Sequence, residues 1–443
     1  MLRRLFLSLS ITAAAFGQSL PSQLDAHVLS YVAQDKFTGA VLVARDGKPV
    51  LERAYGMANR EWSVPNTVDT KFRLGSITKQ FTAALILQLE EKGKLSVGDP
   101  VSKYVTDCPP AWEKVTIHHL LSHTSGIPNF TSFPDYGKTK SLPVTATALV
   151  GRFRSEPLEF EPGAKWNYSN SGYVLLGYII EKVTGKSYAE VLRANILDPL
   201  GMKDTGYDDP KTIIPGRASG YEPKDKGWRN ADYIDMTVPH AAGAMYSTVN
   251  DLLKWDQSFY GGPQILSAAS KTKMFTAVKN NYAYGWGVEK QGGHNRESHG
   301  GGIDGFATWI ARFPDDRVTI VVLSNNEAAP AGKVGNELAT LTFGEKIFDP
   351  KTRTAVKIKP ETFDAYAGRY ELAPGFVLNF WREGETFWTQ ATGQSKAEIF
   401  PESETTFFLK IVDAQVTFVT EGIGKATHLV LHQNGEHEAK RLP

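Results

Sequence analysis

Sulfur crosslinks are missing from this chain: its 443 residues include one cysteine, Cys108, so no disulfide can form within it. The fold must rest on a packed core, and 41% hydrophobic residues supply one. A surplus of either charge is also missing, since 49 Lys and Arg face 48 Asp and Glu. That balance gives no electrostatic reason to expect nucleic acid or an anionic membrane as partner. There is no G-x-S-x-G, no Walker sequence, no dinucleotide fingerprint and no H-E-x-x-H. These absences argue against an α/β-hydrolase elbow, a nucleotide enzyme and a zinc protease. No repeat or low-complexity tract occurs. Cys108 lies in "TDCPPAW", which reads as a loop and not as a catalytic thiol site.

The chain opens with "MLRRLFLSLSITAAAFG": two arginines, an apolar run, then small residues. This is the layout of a secretory signal over 1–17, cut before Gln18, and the run is short for a membrane span. Losing Arg3 and Arg4 takes the formal charge from +1 to −1. No cysteine follows the run, so no lipid anchor is expected. The mature protein is expected to be exported, periplasmic or secreted, without a stable membrane anchor.

Length and pattern point to two domains. Residues 38–56, "TGAVLVARDGKPVLERAYG", alternate around Asp46-Gly47 as a tight hairpin does. Helical patterns follow at 76–92, at 116–122 behind a Thr116 cap, and at 171–184 before Gly185. Strands return in "GFATWIARFPDDRVTIVVLSNN", so the first and last strands of 18–345 are expected to share an antiparallel sheet flanked by helices, an α+β class. A polar linker is expected over 346–362. From 363 to 443, about eight short strand-like runs separated by turns such as Arg382–Glu385 and Asn434-Gly435 suggest a small all-β barrel.

The chemistry starts in "FRLGSITKQFTAALILQLEEKGKL", residues 72–95. Residues 81–89 include only Thr82 and Gln88 as polar members, so this helix lacks a polar stripe and is expected to be buried. Lys79 lies on the same face as Ser76 at i, i+3. A serine needs a neighbouring base to become a nucleophile, and a desolvated lysine has the lowered pKa to serve as one. The competing reading makes Ser76 a cap and Lys79 a snorkelling surface residue. A second S-x-x-K, Ser270 to Lys273, sits in polar surroundings and is read as chance.

Two further motifs follow. "WNYSNSGY" holds Tyr168-Ser169-Asn170, the only Y-x-N, at a loop-to-helix junction. Its tyrosine can carry a proton and its asparagine can orient a lysine or bind substrate; the plain alternative is an aromatic turn with an Asn cap. "SHGGGIDGFATW" holds the only H-x-G, His299-Gly300-Gly301, running into a strand. Glycines there let substrate lie close, and the N–H of Gly302 can help hold an oxyanion; a flexible turn is the alternative.

In this order, S-x-x-K, Y-x-N and a basic residue with x-G opening a strand, the chain resembles the serine β-lactamase and penicillin-binding-protein superfamily. The likeness is to the class C β-lactamase and DD-peptidase branch (peptidase S12 type), and it covers about residues 24–345. "TIHHLLSHTSGI", "EPGAKWNYSNSGY", "HAAGAMYSTVNDLLKW" and "YGWG" look similar too. The C-terminal part resembles the lipocalin-like β domain of many such hydrolases. The resemblance implies that Ser76 forms an acyl-enzyme, that Lys79 and Tyr168 share proton transfer, and that Asn170 positions lysine and substrate. It places the backbone N–H groups of Ser76 and Gly302 in an oxyanion hole. His299, with Gly300 and Gly301, stands where many relatives carry the lysine of K-T-G, and it departs from them. A histidine of ordinary pKa is mostly neutral at pH 7 and does not anchor a substrate carboxylate as lysine does, so peptidase, esterase or amidase activity is at least as plausible as turnover of carboxylate-bearing β-lactams.

No metal or organic cofactor is expected, and the partner is a small-molecule or peptide substrate; the sequence is silent on oligomeric state. His119 and His123 at i, i+4, with His118, invite a metal reading, but no third ligand is placed nearby and a structural role is expected. Consecutive aromatics in the last segment, Phe380-Trp381 and Phe387-Trp388, put one ring on each strand face, so core packing on one side is expected before a ligand cup. The rival from another class is a catalytically idle receptor or scaffold of the same fold. A third reading is an interaction protein whose barrel holds a ligand beside a vestigial site.

Overall fold

A computed structural model describes residues 19–443 apart from 106, 226, 262, 348–352, 374, 421–423 and 434–435. The expected secretory segment 1–17 and the Asn434-Gly435 turn lie outside the described residues, as does part of the expected linker. The chain divides into two compact units, one ending at Glu345 and one beginning at Lys346.

The first unit contains the principal helices α1 (Leu20–Val32), α2 (Thr78–Glu91), α3 (Asn170–Thr184) and α4 (Ala331–Thr342). Its main sheet is built of β1 (Gly39–Arg45), β2 (Lys48–Tyr55), β3 (Gly287–Gln291), β4 (His294–Ile303), β5 (Phe306–Phe313) and β6 (Val318–Ser324). The order is β3-β4-β5-β6-β1-β2 with every neighbour antiparallel. First and last strands do pair, Gly39 opposite Ser324 and Arg45 opposite Val318. The β1–β2 turn has φ 51° at Asp46 and 71° at Gly47, the two positive values that suit a two-residue hairpin.

Both faces of the central strands are covered. Val41 and Val43 of β1 pack with Leu24 and Val28 of α1 and Val334 and Leu338 of α4. Leu42 and Ala44 point the other way, into the core that holds Phe81 and Leu85 of α2. This two-sided burial is why β1 reads as a continuous apolar run instead of alternating.

The start of α2 differs from the expected helix at 76. Gly75–Ile77 form a 3-10 turn and the α-helix begins at Thr78. Gly75 has φ +55° against strand β4, where a Cβ would stand 2.9 Å from the nitrogen and oxygen of Gly302. The tight turn therefore lets the serine segment sit directly on that strand. From Thr78 to Leu89 every residue of α2 is buried. The 116–122 pattern becomes the short helix Ile117–Leu121, with Thr116 and His119 forming a capping box, and α3 ends on Gly185 at φ 69°.

The second unit is a closed barrel of β7 (Gly368–Ala373), β8 (Phe376–Glu383), β9 (Thr386–Ala391), β10 (Ala397–Pro401), β11 (Thr406–Leu409), β12 (Gln415–Thr420), β13 (Ala426–His432) and β14 (Glu436–Arg441). Each strand pairs with the next, and β14 closes on β7 through Tyr370 opposite Arg441. Its interior is filled by side chains such as Phe380, Phe387, Phe407, Phe418 and Leu429. Phe380 and Phe387 are buried while Trp381 and Trp388 are only partly so, as a period of two requires. A 3-10 turn, Pro360–Ala365, straddles the expected 362/363 boundary and drops Phe363 into the core, 4.6 Å from the ring of Phe387. No helix among the described residues is long and apolar enough to cross a membrane.

Candidate active site

Ser76 and Lys79 meet at the head of α2. Lys79 is fully buried, and its Nζ lies 3.1 Å from Ser76 Oγ, 2.8 Å from Asn170 Oδ1 and 2.8 Å from the carbonyl oxygen of Ala242. Burial holds the ammonium well below the ordinary lysine range. The three partners match the neutral amine: its two N–H groups donate to the asparagine and carbonyl oxygens, leaving the lone pair for the serine hydroxyl. Asn170 is held in register because its Nδ2 donates to Thr131 Oγ1 at 3.2 Å, which turns Oδ1 towards the lysine. Thr82, one turn along α2, donates to Ala241 O at 2.6 Å and ties the helix to the same short turn that offers Ala242 O.

Tyr168 lies just before α3, its ring centroid 4.9 Å from Lys79 Nζ. Burial pushes its phenol up, and a hydrogen-bonding interaction with Ser76 works against that. The residue is clamped by His123. The His123 carbonyl accepts the Asn167 N–H at 2.9 Å, and its Nδ1 accepts the Ser169 N–H at 3.2 Å, so both chain neighbours of Tyr168 hang on one histidine. The His123 ring packs 4.3 Å from the Tyr168 ring. Burial, with Lys79 and His299 adding to it, holds this imidazole neutral far below its usual range. The three histidines of the metal reading go separate ways. His118 meets Tyr284, His119 caps its own helix and His123 takes Ser169.

His299, on β4, has Nδ1 2.6 Å from the carbonyl oxygen of Gly300 and Nε2 2.9 Å from the hydroxyl of Tyr282. A carbonyl only accepts, so Nδ1 carries the proton and Nε2 accepts from Tyr282. Burial first, then the nearby Lys79, pushes its pKa down to about 4. The imidazole is neutral at pH 7 with both nitrogens engaged.

The glycines beside it have distinct reasons. A Cβ on Gly301 would lie 1.9 Å from Leu74 O, so only glycine lets β4 meet the segment leading to Ser76. Thr308 Oγ1 donates to that same Leu74 oxygen at 2.8 Å. Gly302 faces open space, and β3 pairs with β4 no further than Ser298. Ser76, Phe130, Asn170, Ile234, Gly302 and Asp304 are among the residues lining a cleft of ≈ 630 Å³, open mouth included. The second S-x-x-K is elsewhere: Lys273 pairs with Glu90 at 2.8 Å on the surface.

Residues 24–342 match the family model described as Beta-lactamase. The chain belongs to the beta-lactamase family. Residues 352–441 of this beta-lactamase family protein match a second model, described as Domain of unknown function (DUF3471). Penicillin-binding protein 4* of Bacillus subtilis (strain 168) is 33% identical over 436 residues, covering 91% of this chain and 94% of that protein. The octameric penicillin-binding protein homologue from Pyrococcus abyssi superposes with a TM-score of 0.67 at 27% identity, over 95% of this chain and 99% of that one. A D-stereospecific amidohydrolase from Streptomyces sp. does so with a TM-score of 0.62 at 26% identity, over 74% and 99%.

Sequence reasoning did not single out Tyr282, the clamp made by His123, Ala242 O or Asp304. Tyr282 and Ala242 lie beside or within stretches already noted, "YGWG" and "HAAGAMYSTVNDLLKW". A backbone carbonyl leaves no signature in residue type, so only the fold brings Ala242 O to Lys79.

Proposed function

We propose that this chain is an exported serine hydrolase that cleaves amide or ester bonds through an acyl-enzyme on Ser76. The reading rests on one observation above the others: a buried Lys79 whose Nζ reaches Ser76 Oγ at 3.1 Å while two acceptors occupy its N–H groups. In this reading the Ser76 oxygen attacks the substrate carbonyl as its proton passes to the neutral Lys79 amine, with Tyr168 beside it relaying. The backbone N–H groups of Ser76 and Gly302 hold the oxyanion. Tyr168 then hands a proton to the leaving group, and water resolves the acyl-enzyme by the reverse path. Asn170 orients the lysine; Gly300 and Gly301 allow substrate to lie against β4. No step calls for a metal or organic cofactor. Residues 1–17 act as the secretory signal, 18–345 as the hydrolase domain, 346–362 as linker and 363–443 as the C-terminal lipocalin-like β domain.

His299 narrows the substrate. Being neutral and engaged at both nitrogens, it offers no cation to a carboxylate beside the scissile bond, so esters, amides and D-residue peptides cleaved away from a free C-terminal carboxylate suit the site better than carboxylate-bearing β-lactams. The likeness to the D-stereospecific amidohydrolase from Streptomyces sp. is in keeping with the amide part of this reading. The test incubates mature protein and a Ser76→Ala control with p-nitrophenyl acetate and with a fluorescent penicillin, and reads intact mass. Ester turnover or a covalent adduct that disappears in Ser76→Ala is the expected result. Equal, negligible signals from both proteins across pH 6–9 would replace it with the idle-receptor reading.

A further inference from the structure

Two cavities remote from the cleft share Lys94, just past the C-terminal end of α2. The first, of ≈ 540 Å³ with its open mouth, is also lined by Lys92 and Lys186, and the second by Lys103 and Lys182. Among the described residues, no acidic side chain and no arginine lines either one. Five gathered ammonium groups stand out in a chain whose charges otherwise cancel. The carboxylates beside them in sequence face other partners. Glu90 pairs with Lys273, Glu91 accepts the Ser267 N–H, Glu181 the Tyr188 N–H and Glu190 the Ser187 N–H. Lys103 pairs with Asp99 at 3.0 Å, and Lys92 donates to Asn195 Oδ1 at 3.0 Å. Lys94, Lys182 and Lys186 are exposed and have no carboxylate within ion-pair reach among the described residues.

The first cavity holds a second unmet group. Gln88 lines it and is only 7% exposed, its Nε2 donating to Asn195 O at 3.2 Å and Ile265 O at 2.9 Å. Carbonyl oxygens only accept, so the amide orientation is fixed and Oε1 is the end left without a donor. Asn195 belongs to a π turn, Arg193–Leu197, and offers one oxygen to Gln88 and the other to Lys92. Such turns are rare and gather at functional sites.

We propose that the two cavities form a binding site for a polyol bisphosphate, a hydroxyl-bearing carbon chain with a phosphate at each end. One phosphate lies among Lys92, Lys94 and Lys186, the other among Lys94, Lys103 and Lys182. A lysine ammonium is a point charge and suits a tetrahedral phosphate, whereas no planar fork is present to grip a carboxylate. A hydroxyl of the chain donates to Gln88 Oε1, and Thr184 adds its own hydroxyl to the same wall. A bare inorganic anion answers the lysines but leaves Gln88 without its donor. The 14 residues of α2, at about 1.5 Å each, hold this site roughly 20 Å from the Lys79 end, so binding does not depend on the hydrolase reading.

Calorimetric titration of the full chain at fixed ionic strength tests it with fructose 1,6-bisphosphate, 1,6-hexanediol bisphosphate, fructose 6-phosphate and inorganic phosphate. The sugar bisphosphate is expected to bind tightest, about fivefold above the hexanediol compound for the hydroxyl contact. Lys186→Gln and Lys182→Gln act in different cavities, and each should weaken it about fivefold, the upper reach of an exposed charge pair. A double control, Lys48→Gln with Lys290→Gln, removes two exposed charges from β2 and β3 and should leave affinity within about twofold. Unchanged melting temperatures without ligand check that every variant is folded. Hexanediol bisphosphate bound as tightly as the sugar would show that no hydroxyl is read, and inorganic phosphate bound as tightly would reduce the site to bare charge. An equal loss in the double control would remove the site from these cavities, and a loss in only one of the two lysine variants would end the bridging arrangement. Any of these results, or no binding of the sugar bisphosphate, overturns the proposal.

Discussion

Lys79 is where the local physics is sharpest. A lysine with no exposed surface and no carboxylate beside it keeps its charge only at high cost, so burial holds its pKa well below the ordinary lysine range and favours the amine. In the proposed mechanism the protonated form is the inactive one. Its depressed pKa means that kcat/KM falls as pH drops through that value and holds steady above it. Removing the amine by Lys79→Ala should cost on the order of 10²–10⁴-fold in kcat/KM and flatten that acid limb. A pH–rate profile on a p-nitrophenyl ester reads both, and a variant within tenfold of the parent would take the base role away from this residue. His123 acts one step back, through the chain on either side of Tyr168. Asparagine can offer its oxygen where Nδ1 now accepts; phenylalanine fills the space without an acceptor. His123→Phe is therefore expected to lower kcat with KM little changed, and His123→Asn to restore part of it. Equal losses in the two variants would reduce His123 to a packing residue.

At the scale of elements, what could be read in advance followed from periodicity and turn chemistry. The β1–β2 hairpin, the buried character of α2, the Gly185 stop of α3 and the eight barrel strands each depend on residues close in sequence, so a window of ten residues carries them. The approach of α2 to β4 does not. It depends on Gly75 and Gly301 both lacking a side chain at a crossing more than two hundred residues apart, and it shifted the α-helix start from 76 to Thr78. The same limit hid the engagement of His299 by Tyr282: both residue types were visible, but their 2.9 Å contact is set by how β4 passes the 282 loop. Phe363 shows the limit again, since "KPETFD" looks polar while its one ring is the plug of the barrel. Phe363→Ala should destabilise the barrel unit by about 3–5 kcal/mol, the usual cost of emptying a well-packed aromatic site. Denaturant unfolding followed by tryptophan emission measures it, and a loss under about 1 kcal/mol would place the ring outside the core.

Proton linkage belongs to the whole molecule, because every buried base adds to one stability curve. His240 and His299 both titrate near 4 in the folded chain, pushed there first by burial. Unfolded, each returns to its ordinary value near 6.5. Between those limits the unfolded chain binds protons that the folded chain refuses, so stability falls as pH falls from about 6.5 towards 4. His240 is the cleaner probe, since it lies outside the Ser76–Lys79 contact. Its ring meets Tyr207 at 3.4 Å through Nδ1, the ring of Tyr188 at 5.4 Å between centroids, and Glu181 at 3.9 Å through Nε2. The Glu181 carboxyl is itself raised by burial, which limits how much charge it offers an imidazolium. The loss attributable to His240 alone should approach about 3 kcal/mol by pH 4, from 1.36 kcal/mol for each pKa unit. Unfolding free energies of the parent and of His240→Gln, compared at pH 7.5 and 4.5, isolate that term from every other titrating group. The variant is expected to be less stable at pH 7.5 but to lose less on acidification. Parallel pH dependences would mean that the imidazole is solvated and charged in the folded state, and that the turn carrying Ala242 O to Lys79 is looser than its packing against α3 implies.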